Sequence, residues 1–142
     1  MPKRTDIKKI MAILKPIMFS AEIVDFNPMV KNVKRLPFDR QYAICTYPDG
    51  KDQKPEIPYI GGEKYTLVQN AEVLNPLVKV LAEKIENMRV TVSNSANEQF
   101  SVNFYSVHPD KIKNEHFAPV VRFINSYNGK VKAMAKACLY RV

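Results

Sequence analysis

The sequence predicts an α+β fold: one domain, with an antiparallel sheet of about four to six strands and one main helix, at about residues 75–87, packed on one face. Three observations predict it. Leu74, Leu77, Leu81, Ile85 and Met88 recur at helical spacing, with Lys79, Glu83 and Glu86 outside the stripe. Residues 89–93 and 99–107 alternate with period two, the pattern of strands with one buried face. A last stretch alternates around Asn128-Gly129, the strongest short-range hairpin signal. With 142 residues, 46% of them hydrophobic, the chain can bury one moderate core and hardly two.

Residues 1–19 read as an N-terminal helical arm, with Ile7, Ile10, Met11 and Leu14 on one face and Pro16 ending it. The plain expectation is an arm packed on the core; the sharper one is a basic arm on nucleic acid. Its apolar run, Ile10 to Leu14, is cut by Lys15-Pro16 and is too short for a membrane span or a signal peptide. Residues 20–48 are mixed, with Lys31, Lys34, Arg35 and Arg40 crowding the middle; within them Gln41 to Tyr47 reads as a strand from its aromatic and β-branched residues. Residues 48–58 carry Pro48, Pro55, Pro58 and the turn signal Asp49-Gly50, so they read as a loop. Tyr65 to Val68 reads as a short strand and Asn70 as the cap of a helical turn. The main helix then opens with Asn75 as its cap and Pro76 in its first turn. A hairpin follows, with its turn in 93–98, then a polar connector over 108–119.

For the final hairpin, a two-residue turn at Asn128-Gly129 sets Tyr127 opposite Lys130, Asn125 opposite Lys132 and Phe123 opposite Met134. Lys130, Lys132, Lys136 and Tyr140 then share a face with Phe123 and Tyr127. Ile124, Val131, Ala133, Ala135, Ala137 and Leu139 line the other face, against Leu77, Leu81 and Ile85. Lysines beside aromatic rings are what single-stranded nucleic acid needs, ammonium groups for phosphates and rings for unpaired bases. The plain alternative is a solvated edge, since edge strands carry Lys to block aggregation. A solvated face usually mixes signs, whereas residues 117–142 contain no Asp or Glu, which favours binding.

Charge agrees. Lys and Arg number 22 against 14 Asp and Glu, a formal net charge of +8 that favours polyanionic partners. Cys45 and Cys138 form no C-x-x-C or zinc-like cluster and read as buried thiols in a reducing cytoplasm. His108 and His116, with Asp110 and Glu115, match no common metal-ligand spacing. Gly61-Gly62 is not followed by a phosphate-binding signature, and no G-x-S-x-G occurs. Neither a metal nor another cofactor is expected, and a hydrolase using His108 and His116 is the weakest of three readings.

KYTLVQNAEVLNPL at 64–77, a strand pair, NSYNG at 125–129 and YRV at 140–142 together resemble a phage- and plasmid-encoded domain of unknown function, the phage/plasmid-like proteins. The resemblance covers about residues 58–142, and Asn125, Ser126, Tyr127, Gly129, Tyr140 and Arg141 match the motif. It implies an origin in a mobile element and action in the cytoplasm of a bacterial host. Relatives continue into a Cys-Ser-Asn-Gly element where this sequence stops, which implies a short or truncated form. The order of helix and antiparallel strands is also similar to that of single-strand annealing proteins, often ring-shaped homo-oligomers. The first residues, MPKRTDIKKIMAIL, look like the start of the large subunit of carbamoyl-phosphate synthetase; the glycine-rich turn that should follow is missing, so no relation is drawn.

The expectation is therefore a nonenzymatic nucleic-acid-binding protein of a phage or other mobile element. It would prefer single strands, DNA first, and serve replication or recombination without a membrane. Arg122, Lys130, Lys132 and Lys136 would hold phosphates, Phe123 and Tyr127 would stack on bases, and Lys31, Lys34 and Arg35 would extend the path. The alternative, from another class, is a protein-binding module that inhibits or recruits a host protein.

Overall fold

A computed structural model describes residues 5–26, 41–106, 110–112 and 115–141; for 26, 110–112, 115–118 and 138–141 it describes the backbone alone. The fold is α+β, but with two antiparallel sheets where the sequence predicts one. Helix α1 spans Ile7–Leu14, with the Asp6 carboxylate accepting from the Lys9 N–H at 3.2 Å. Pro16 lies in a 3-10 turn, Lys15–Ile17, that ends it. Ile10, Leu14 and Ile17 are buried, so the arm packs on the core, as the plainer expectation had it. Thr5 fastens its start: its hydroxyl donates to the Ile85 carbonyl at 2.7 Å and accepts from the Met88 N–H at 3.0 Å.

Strands β1 (Ser20–Phe26), β2 (Gln41–Tyr47) and β3 (Glu56–Gly61) form the smaller sheet, with β2 in the centre. Ile23, Ile44 and Tyr59 sit opposite one another and belong to the core side. The loop expected over 48–58 ends earlier, at β3. Pro58 is tolerated there because β3 is an edge, where a missing N–H breaks no ladder. Thr46, in the centre of this sheet, is wholly buried, and its hydroxyl has no hydrogen-bond partner among the described residues. An unpaired buried hydroxyl costs about 1–3 kcal/mol. Thr46→Val keeps the branched shape and deletes the group, so it should raise stability by about 1 kcal/mol or more in urea unfolding. A loss of stability would mean that the hydroxyl is satisfied.

Helix α2 runs Asn70–Lys84, five residues earlier than the cap expected at Asn75, and carries Pro76 inside it. A distant residue explains the early start: the Asn70 N–H, an orphan donor of the first turn, donates to the Tyr127 hydroxyl at 2.9 Å, and Asn70 Nδ2 donates to the Ile17 carbonyl at 2.9 Å. Leu74 and Val78 are fully buried, with Leu77, Leu81 and Ile85 packed at the margin; Met88 belongs to the next strand. Residues 64–69 form no strand. They cross to the helix as an irregular segment tied to β1 by the Ala21 N–H, which donates to Gln69 Oε1 at 3.0 Å.

The larger sheet comprises β4 (Met88–Ser95), β5 (Gln99–Ser106), β6 (Asp110–Ile112), β7 (Glu115–Ser126) and β8 (Met134–Arg141). Long β7 is its spine, with β5 and short β6 on one edge and β8 on the other. The connector expected over 108–119 is thus largely a second hairpin. β4 and β5 join through the left-handed pair Ala96 and Asn97 (φ 53° and 59°), inside the turn region expected. Val90, Phe100, Val102, Phe104 and Phe123 face α1, α2 and the smaller sheet in one hydrophobic cluster. Among the described residues, no helix is long and apolar enough to cross a membrane.

Candidate nucleic-acid interface

The last hairpin sets the site, and its register differs from the expected one by a single residue. Phe123 lies opposite Ala135, not Met134, and Arg122 lies opposite Lys136. Because side chains alternate, a slip of one residue moves every β8 side chain to the other face relative to β7. Lys136 therefore leaves the side of Phe123 and joins Arg122.

The cause is in the turn. The Tyr127 N–H donates to the Glu98 carbonyl at 2.7 Å, toward the β4–β5 turn and away from Lys130. Ser126 Oγ donates to the Val131 carbonyl at 2.7 Å and accepts its N–H at 3.0 Å, so residues 127–133 close as a wider loop. Asn128 keeps a negative φ, and Gly129 alone takes the left-handed conformation, at 77°.

Phe123 and Tyr127 are 1% and 0% exposed, so neither ring can stack on a base, contrary to the role expected of them. Tyr127 packs edge to face against Phe19 and Phe100, with centroids 5.8 and 5.2 Å away. Asn125 Nδ2 donates to the Val68 carbonyl at 2.7 Å and to Asn70 Oδ1 at 3.0 Å. The NSYNG stretch is therefore a clasp that joins β7, α2, the 64–69 segment and the β4–β5 turn. Burial pushes the Tyr127 hydroxyl up to about 12, although the Asn70 N–H pulls the other way.

The side of the larger sheet away from the core is assembled by register. One row is Thr91, Asn103, Arg122 and Lys136; a second is Ser93, Ser101, Ile124 and Met134; Arg89 and Tyr105 begin a third. Adjacent strands lie about 4.8 Å apart, so a row of four crosses about 14 Å. Arg89, Thr91, Ser93 and Lys136 are exposed, and Tyr105, Asn103 and Arg122 half-buried. Arg122 Nε donates to Asn103 Oδ1 at 2.8 Å, and Asn103 Nδ2 donates to Thr91 Oγ1 at 3.5 Å, which aligns the guanidinium along the row. No Asp or Glu stands on this face among the described residues. Arg122 and Lys136 stand directly opposite one another across β7 and β8, which brings two cations together on this face.

Lys130 and Lys132 are exposed in the 127–133 loop, at one end of this face. Ala135 and Ala137, expected to lie under the helix, are exposed on β8, beyond the part of the sheet that the helices cover. Lys31, Lys34, Arg35 and His108 lie outside the described residues; His116 is placed by its backbone alone, opposite Lys111. Cys45 is a buried free thiol, pushed up first by burial and then by Glu22 across the strand pair. Among the described residues, no three His, Cys, Asp or Glu side chains group as metal ligands would. Arg89, Asn103 and Tyr105 are not among the contact residues expected from the sequence, though the alternation of β4 and β5 already puts all three on the side away from Val90, Phe100 and Phe104.

Compared with known proteins, the chain matches no family model, no curated protein and no solved structure.

Proposed function

We propose that the protein is a nonenzymatic nucleic-acid-binding protein, and that the open face of β4, β5, β7 and β8 is its contact surface. The observation that carries this reading is the Arg122–Lys136 pair, aligned across β7 and β8 on a face with Arg89 at its other side and no described carboxylate. The cations hold phosphates, while the hydroxyls and amides of Ser93, Ser101, Thr91 and Asn103 supply neutral hydrogen bonds to sugars and phosphates. Among the described side chains of this face, Tyr105 is the ring available to an unpaired base, and it carries the preference for single strands. A role in replication or recombination of a phage or other mobile element rests on the sequence resemblance.

The test is fluorescence anisotropy with a labelled oligothymidylate over a salt series. Single strands lose about 0.7 in the logarithm of affinity per logarithm of salt for each phosphate neutralised. Three contacts, from Arg89, Arg122 and Lys136, predict a slope of about −2, and Lys130 and Lys132 would deepen it to about −3.5. Absence of binding even at low salt sinks the reading.

A second reading, a protein-binding module, has its own observation. On the edge strand β3, Ile57 and Ile60 are 51% and 60% exposed, and Val24 lies in the same cross-strand row as Ile60. An exposed apolar edge can pair with a partner strand. Ile57→Lys with Ile60→Lys should block that pairing and leave oligonucleotide affinity unreduced.

A further inference from the structure

The 127–133 loop separates two hollows. One, of about 230 Å³, lies on the proposed contact face and includes Ser93, Ser101 and Ile124 in its lining. The other, a groove of about 470 Å³, runs between this loop and the 64–68 segment. Asn125 and Val131 line both, so a chain leaving the sheet face meets the groove directly. Its volume is that of a small-molecule site.

The walls of the groove differ in chemistry. Tyr65, Leu67 and Ile44 offer it an aromatic and aliphatic side, and Lys130 and Lys132 offer it two exposed ammonium groups. Both walls are held in place. Ser126 fastens Val131, between the two lysines, from both its N–H and its carbonyl. The Tyr65 ring lies against Gly129, where a Cβ would come within 2.8 Å of it, and meets Tyr59 edge to face at 4.9 Å. The Tyr65 hydroxyl donates to Glu63 Oε2 at 3.1 Å; that carboxylate is not among the groups lining the groove.

We infer that this groove takes one unpaired nucleotide of the strand carried on the sheet face, its base against Tyr65 and Leu67 and its phosphate between Lys130 and Lys132. The inference rests on the nucleic-acid reading above. A flat ring, an apolar wall and a pair of cations match a base joined to a phosphate. An acidic peptide would use the lysines and leave the wall bare.

The probes are thymidine 5′-monophosphate and a short oligothymidylate, and the readouts are amide NMR shifts and anisotropy. The monophosphate should shift the amides of Gly129, Lys130, Val131 and Lys132. Tyr65→Leu, which keeps an apolar wall, should weaken the oligonucleotide about tenfold through lost stacking. Lys132→Ala, at an exposed position where folding is not at stake, should weaken it and make the salt slope shallower by about 0.7. If wild-type protein binds the oligonucleotide, yet both variants bind it equally well and the monophosphate moves no loop amide, the groove assignment falls and the sheet face stands. If an oligoglutamate moves the same amides as strongly, the groove is a general anion site and the assignment also falls. If wild-type protein binds no oligonucleotide, the groove and the nucleic-acid reading fail together.

Discussion

Tyr127→Ala is expected to remove most of the stability of the fold. Deleting a buried aromatic ring costs about 3–5 kcal/mol, and the Asn70 N–H, left without its acceptor at the start of α2, adds about 1–3 kcal/mol. The sum, about 4–8 kcal/mol, rivals the whole stability of a domain, about 5–15 kcal/mol. Urea unfolding should show a collapsed midpoint, or no folded baseline. A loss below about 2 kcal/mol would contradict the clasp. Tyr127→Phe keeps the ring and deletes only the acceptor, so it should cost about 1–3 kcal/mol and leave oligonucleotide affinity at neutral pH unchanged.

The same hydroxyl gives a pH signature. Its value in the fold is about 12, above the ordinary phenol value near 10, so in the window between them the unfolded chain has released a proton that the fold retains. Stability from this group is complete below about pH 10 and falls by about 2–3 kcal/mol as pH rises to about 12. Tyr127→Phe should lack that part of the alkaline loss. Identical alkaline curves for the two proteins would place the hydroxyl in solvent.

Charge reversal at Arg89 and Lys136 should have the largest effect on binding. Both side chains are exposed, so Arg89→Glu with Lys136→Glu should fold normally. Each reversal removes a phosphate contact and adds a repulsion, and charged hydrogen bonds contribute about 1.5–3 kcal/mol each. The pair should therefore lower oligonucleotide affinity at least about a hundredfold at low salt, and the slope against salt should become shallower. Unchanged affinity would move the interface elsewhere.

The elements whose signals are local were legible in the sequence. The periods of β4 and β5 and the turn between them depend on neighbouring residues, and the structure has them where the pattern puts them; of the expected apolar face of α1, Ile10 and Leu14 are buried and Met11 packs on the core, while Ile7 is exposed. What failed depended on distant partners. Nothing near Asn70 says that a tyrosine 57 residues away accepts its N–H, so the local signal puts the helix start at the proline. The Asn128-Gly129 signal is real as a turn. Ser126 and Tyr127, both engaged elsewhere, keep it from closing after two residues. That single step in register set Lys136 beside Arg122, while pairing with Val102 of β5 put Phe123 in the core and contacts with Phe19, Asn70 and Phe100 put Tyr127 there, making a basic face out of residues from four strands where a single hairpin was expected. Composition had named the charge; only pairing could say which side chains share a surface.

The central claim, that the open side of the larger sheet is the nucleic-acid contact, is tested most directly by amide NMR with an unlabelled oligothymidylate titrated at about 50 mM and again at about 200 mM salt. Shifts at Arg89, Thr91, Ser101, Asn103, Arg122 and Lys136 that weaken at the higher salt are the predicted result. No shift at these positions, or shifts confined to Glu56–Gly61 of β3, would contradict it.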